Sequence, residues 1–167
     1  MKNNFVQFAA ILLTGLVAGL LFGYSCSVVA GLGDLNAREY ILAFQSINKA
    51  ILNPYFFSVF FGSPVILVAA TYQSYKKERG TVQFNYLLAA SLIYIVGVLG
   101  ITAFGNVPLN DELARHNINN ITETELVTVR QAFEGQWNRL HYIRTFAAFA
   151  SFFISLVSLI IKENEKA

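Results

Sequence analysis

The 167 residues are 55% hydrophobic and only 13% charged, about half the charge of an ordinary soluble domain. That balance excludes a disordered chain, and Cys26, the single cysteine, excludes an internal disulfide framework. A net charge of +2, scattered along the chain, points away from nucleic acid as a partner.

A membrane-spanning helix needs ~20 mostly apolar, uncharged residues. The segment from Phe5 to Leu32 is the first such stretch, nearly twice the ~7–15 residues of a signal-peptide apolar core, so a retained span is expected. Further uncharged stretches run from Tyr55 to Tyr75, from Thr81 to Phe104 and from Thr145 to Ile161, the last extended by Leu140 to Ile143. The pattern predicts an all-α integral membrane four-helix bundle forming a single domain over 1–167, with spans at about 5–31, 55–75, 82–105 and 140–161. Lys2, Lys76, Lys77, Arg79, Lys162 and Lys166 crowd into the short segments on one side of the membrane. Arg38, Lys49, Arg115, Arg130, Arg139 and Arg144 spread over longer segments on the other. The denser side is expected to be cytoplasmic, with both termini there and the cell membrane as location.

Between spans one and two, Tyr40, Phe44, Ile47 and Ile51 recur on one helical face of residues 36–52. This predicts an amphipathic helix, either on the outer membrane surface or packed on its neighbours, broken at Asn53-Pro54. In span two, Gly62-Ser63-Pro64 is expected to kink the helix. Gly15, Gly19 and Gly23 in span one, and Gly97 and Gly100 in span three, are expected at helix contacts. Span three should end near 105, with Asn106-Val107-Pro108-Leu109-Asn110 opening the outer segment and Asn117 to Asn120 forming a loop. Thr122 and Glu125 form a capping-box pattern. From there Leu126, Val129, Phe133, Trp137, Leu140 and Arg144 mark a long extramembrane helical extension leading into span four, with a bend expected near Gly135.

No phosphate loop, nucleophile elbow or metal-protease motif is present, and His116 and His141 are the only histidines. No metal site is expected, and a haem held by His141 alone is disfavoured. The outer end of the bundle carries what polar chemistry there is. Trp137, His141 and Arg144 share one stripe of the fourth helix. Asn106 and Asn110 arrive at the same depth, as do Tyr24 to Ser27 at the end of span one and Asn48 and Asn53 before span two. An arginine at the centre of a bilayer costs ~2.5–3.5 kcal/mol, so Arg144, near the edge, still prefers polar partners. The alternatives are structural: Trp137 as an interface anchor, His141 and Arg144 reaching for phosphates, Asn106 and Asn110 as helix caps.

A glycine-rich first span, then Phe44-Gln45-Ser46-Ile47-Asn48, Asn53-Pro54-Tyr55-Phe56, Asn106-Val107-Pro108-Leu109-Asn110 and Trp137 to Arg144 follow one another in a recognisable order. The chain resembles the anthrone-oxygenase-like family of small four-span membrane proteins over nearly its whole length. The resemblance implies oxidation of a lipophilic anthrone- or quinol-like aromatic by O₂, with no metal or flavin. In that chemistry His141 would be the base, Arg144, Asn106 and Asn110 the oxyanion donors, and Trp137, Asn48 and Tyr24 substrate-binding residues. O₂ would be co-substrate, and the bilayer and a lipophilic small molecule the partners. A non-enzymatic membrane binding or assembly partner is the competing expectation. An outer cavity lined by Asn106, Trp137, His141 and Arg144 would favour the enzyme, and side chains turned to the headgroups the partner. The topology is testable directly: in a Cys26→Ser background, Lys77→Cys and Asn117→Cys should label from opposite faces of sealed vesicles.

Overall fold

The structure is a computed structural model and describes residues 5–77 and 80–164. Lys2, Arg79 and Lys166, part of the basic cluster placed on the inner side, lie outside the described residues. Four helices are long and apolar enough to cross a membrane: α1 (Phe5–Gly33), α3 (Pro54–Lys77), α4 (Val82–Arg115) and α5 (Glu123–Asn164). The shorter α2 (Ala37–Ile51) lies between the first two. Phe8, Leu12, Leu16, Phe61, Val96, Phe104 and Phe146 are exposed, as lipid-facing residues of a multi-pass membrane protein should be.

Each boundary has a local cause. Past the end of α1, Arg130 donates to the carbonyls of Gly33 (2.9 Å) and Leu35, groups that no helical N–H reaches. Asn36 caps α2 by accepting from the Glu39 amide at 3.0 Å. Asn53 serves two helices, donating to Ala50 O at 2.9 Å and accepting from the Phe56 amide at 3.0 Å. Thr122 and Glu125 bond each other reciprocally at the start of α5, as the capping-box pattern predicts. At ~1.5 Å per residue, the 42 residues of α5 reach roughly 63 Å, about twice the hydrocarbon thickness. The extension ahead of span four follows from that length, and Gly135 does not interrupt it.

Two apolar cores stack along the bundle. The inner one joins Val17, Leu67, Leu87, Tyr94 and Ala148 from all four spans. The outer one packs Tyr40, Ile41 and Phe44 of α2 against Leu113, Leu126, Phe133 and Trp137. The amphipathic face of α2 is therefore spent on protein, with Ile41 and Phe44 fully buried. Tyr40 lies under the Arg130 guanidinium, 4.6 Å from the ring centroid, and burial pushes its phenol above the usual range. At the inner end Gln7 donates to Ser158 (2.8 Å) and accepts from Gln83 (3.0 Å), tying α1, α4 and α5 together through buried polar groups.

Two expectations are corrected. The helix of span three does not end near 105 but continues to Arg115. Its backbone widens into π-helical turns at Tyr94–Gly100 and Thr102–Asn106, and Pro108 then falls in the first turn of the next α-helical stretch, where a missing N–H interrupts least. Among the span-one glycines only Gly15 meets a neighbour, Phe152, whereas Gly19 and Gly23 face open space. In span three the expected contact is met at Gly97, where a Cβ would sit 2.6 Å from that of Ala147, whereas Gly100 meets only Ile95 O of its own helix. A further close approach is at Gly105, where a Cβ would sit 2.9 Å from Leu140. In span two, α3 continues through Pro64 as one helix. Proline cannot donate to the carbonyl four residues back, that of Phe60, and the buried Tyr94 hydroxyl supplies the bond instead at 3.0 Å.

Tyr94→Phe should therefore lower unfolding stability in detergent by about 1–3 kcal/mol, the usual penalty for an unpaired buried carbonyl. In a Pro64→Ala background, where the restored backbone N–H serves the Phe60 carbonyl, the same change should cost clearly less. Equal losses in both backgrounds would refute the pairing.

Candidate functional site

The polar cluster lies where the two cores meet, and its side chains turn inward. His141 and Asn106 are completely buried and Trp137 is 2% exposed, which excludes Trp137 as an interface anchor. Two π-helical turns flank the site, Tyr24–Val29 in α1 and Thr102–Asn106 in α4. Such turns shift the helical register and recur at functional sites. Here they carry Tyr24 and Ser25 on one side, Thr102 and Asn106 on the other.

Trp137 is gripped at both ends. Its indole N–H donates to Asn110 Oδ1 at 2.7 Å, and its carbonyl accepts from Asn106 Nδ2 at 3.2 Å. The His141 ring stacks on the indole with centroids 5.0 Å apart and planes 15° apart. The Tyr24 ring leans on both, 5.6 Å from Trp137 and 5.2 Å from His141. The Arg144 guanidinium lies 5.3 Å from the Trp137 centroid.

Hydrogen-bond roles follow from donor chemistry. A guanidinium only donates. Arg144 Nε and Nη2 lie 3.3 and 3.1 Å from His141 Nδ1, so Nδ1 carries the lone pair and the ring proton sits on Nε2. That proton points at Ser25 Oγ, 2.9 Å away. Arg144 Nη1 donates to Thr102 Oγ1 at 3.3 Å. Among the described residues the ion pairs are Arg38–Glu123 and Arg130–Glu134, and Arg144 meets no carboxylate. It is a half-buried cation held by neutral groups, with two of its five N–H bonds uncommitted. Asn106 Oδ1 is buried without a hydrogen-bond partner. Its amide orientation is set by the Trp137 carbonyl, which accepts only from nitrogen. The site thus offers a cation and an unsatisfied acceptor beside an aromatic wall.

The sequence-derived cluster comes together in part. Asn106, Asn110, Trp137, His141, Arg144 and Tyr24 are joined by the contacts above. Asn48 is half-buried on α2, one turn beyond Phe44, with no hydrogen bond to this group, and Asn53 is spent on its two caps. Thr102 is a member that the sequence reading misses. Its place four residues before Asn106, on the same helical face, is the signal for it. A cavity of about 360 Å³ opens nearby between Leu109, Leu113 and Phe133, rimmed by Glu112, His116 and Gln136. Another of about 330 Å³ lies between Leu16, Leu20, Ile51 and Phe56. Neither is lined by Asn106, Trp137, His141 or Arg144, which close on one another instead.

The model of the anthrone oxygenase family matches residues 56–154, a stretch that includes Asn106, Asn110, Trp137, His141 and Arg144. No curated protein and no solved structure matches the chain. The match covers more than half of the sequence and agrees with the four-span helical architecture, so the chain belongs to the anthrone oxygenase family.

Proposed function

We propose that this membrane protein oxidises a lipophilic anthrone- or quinol-like aromatic with O₂, using the outer polar cluster as its active site. The observation that carries this reading is Arg144: a cation without an acid partner, adjoining a histidine lone pair and an aromatic wall. Such a cation is the group an enolate oxygen needs in apolar surroundings.

An anthrone carries an acidic C–H opposite its carbonyl. Loss of that proton gives an enolate rich enough to pass one electron to O₂. Recombination of the resulting radical with superoxide forms a C–O bond, and the peroxide anion takes the proton back. Loss of water across the C–H and O–O bonds then leaves the second carbonyl. One anthrone and one O₂ become one anthraquinone and one water, and because the enolate itself is the reductant no cofactor is required.

In the arrangement described above His141 Nδ1 is engaged by Arg144. The incoming carbonyl oxygen draws Arg144 onto itself, which frees Nδ1 to accept the C–H proton. Asn106 Oδ1 takes the hydroxyl of the enol form, or of a phenol on the same ring system. Asn110 acts through Trp137, holding the indole on which His141 stacks. Tyr24 closes the other side, and Asn48 belongs to the approach rather than to the reacting atoms. Arg144→Leu should lower O₂-dependent turnover of an anthrone by roughly 100-fold or more, as loss of an oxyanion donor does. Asn106→Ala should reduce it about tenfold, the ~1–1.5 kcal/mol of one hydrogen bond. Oxygen-electrode and product assays on detergent-purified protein measure both, and unchanged turnover in both variants would remove the assignment. The closed hydrogen bonding also suits a second reading, a clamp that shapes the outer helices for a partner subunit. On that reading Arg144→Leu lowers stability and no substrate consumes O₂.

A further inference from the structure

The proposed mechanism requires Arg144 to leave His141 Nδ1, and something else must then keep the ring proton off that nitrogen. The geometry points to Ser25 as the positioning residue that holds the proton on Nε2 when Arg144 is engaged elsewhere. Ser25 Oγ is 2.9 Å from His141 Nε2 and 2.9 Å from the Leu21 carbonyl. A carbonyl only accepts, so the single hydroxyl hydrogen of Ser25 goes to Leu21 O. Ser25 can then only accept from the ring, and an accepting partner on Nε2 demands the Nε2–H tautomer. The chain of donors runs one way: Arg144 to His141, His141 to Ser25, Ser25 to Leu21.

The local fold supports this assignment. Ser25 is in the π-helical turn Tyr24–Val29, and it is half-buried. His141 is held from the other side by the Trp137 stack, and the Thr145 hydroxyl bonds its carbonyl at 2.7 Å. The stack fixes the orientation of the ring, with Nε2 toward Ser25 and the Leu21 carbonyl beside it. Ser25 lies outside the residues that the family model matches, and its position is read from geometry alone. It does not touch the reacting atoms; it acts through His141, as the second partner of an active-site histidine does in other enzymes. The catalytic consequence rests on the function proposed above, while the tautomer does not.

The chain has two histidines, so a His116→Gln protein leaves His141 as the sole imidazole for ¹⁵N NMR. In that background Arg144→Leu should retain a single tautomer protonated on Nε2. Adding Ser25→Ala should produce a mixture with protonated Nδ1, and adding Ser25→Thr instead should restore the single form. With Arg144 present, Ser25→Ala should lower anthrone turnover and Ser25→Thr should recover it. A single Nε2–H tautomer in the Ser25→Ala/Arg144→Leu protein would overturn the assignment, because another acceptor would then be sufficient. A tautomer mixture with no turnover in any variant would support the role of Ser25 and remove the proposed oxygenase reaction.

Discussion

Hydrocarbon offers no water to a polar group, and this constraint organises the molecule. Each polar atom carried into the spans must meet a partner from its own helix or a neighbour. Where Pro64 strips a donor from α3, Tyr94 of α4 replaces it. Where Gln7 is carried into α1, Ser158 and Gln83 receive it. These bonds connect helices that lipid gives little reason to associate, and they do so alongside the close glycine contacts at Gly97 and Gly105.

The outer cluster follows the same rule except at two groups. Arg144 is hydrogen-bonded to neutral partners but meets no counter-charge, and Asn106 Oδ1 has no hydrogen-bond partner among the described residues. In a bundle that pairs its polar groups so consistently, both exceptions fall within one site, beside two π-helical turns and a stacked Trp–His pair. A purely structural clamp gains nothing from an unpaired acceptor. A binding site for an oxygen-bearing aromatic does, because the ligand completes the pairing.

The extension of α5 and the packing of α2 give the site its roof. Phe44 meets Trp137 edge-to-face at 4.9 Å, and Phe133 stacks beyond it. Through side-chain packing of α2 and α5, these aromatic rings cover the indole on the side opposite His141's end of the stripe. Arg130, capping α1 while pairing with Glu134, fixes the start of that roof to the first span. The polar face and the lipid-exposed faces are in this way separated by aromatic packing rather than by an open channel.

The sequence alone determined the four spans, the amphipathic helix, the capping box at Thr122 and the convergence of Asn106, Trp137, His141 and Arg144. These are legible because hydrophobic period, helix caps and uncharged length are local properties of consecutive residues. It also carried the family, through motifs that are likewise contiguous. The tertiary structure decided what depends on which helices abut: that Gly19 and Gly23 touch nothing while Gly105 is crowded, that Tyr94 answers Pro64, and that Thr102 and Ser25 receive the two ends of the Arg144–His141 pair. Hydrogen-bond partners more than a hundred residues apart leave no periodic trace in the chain, and only the packed bundle brings them within 3 Å.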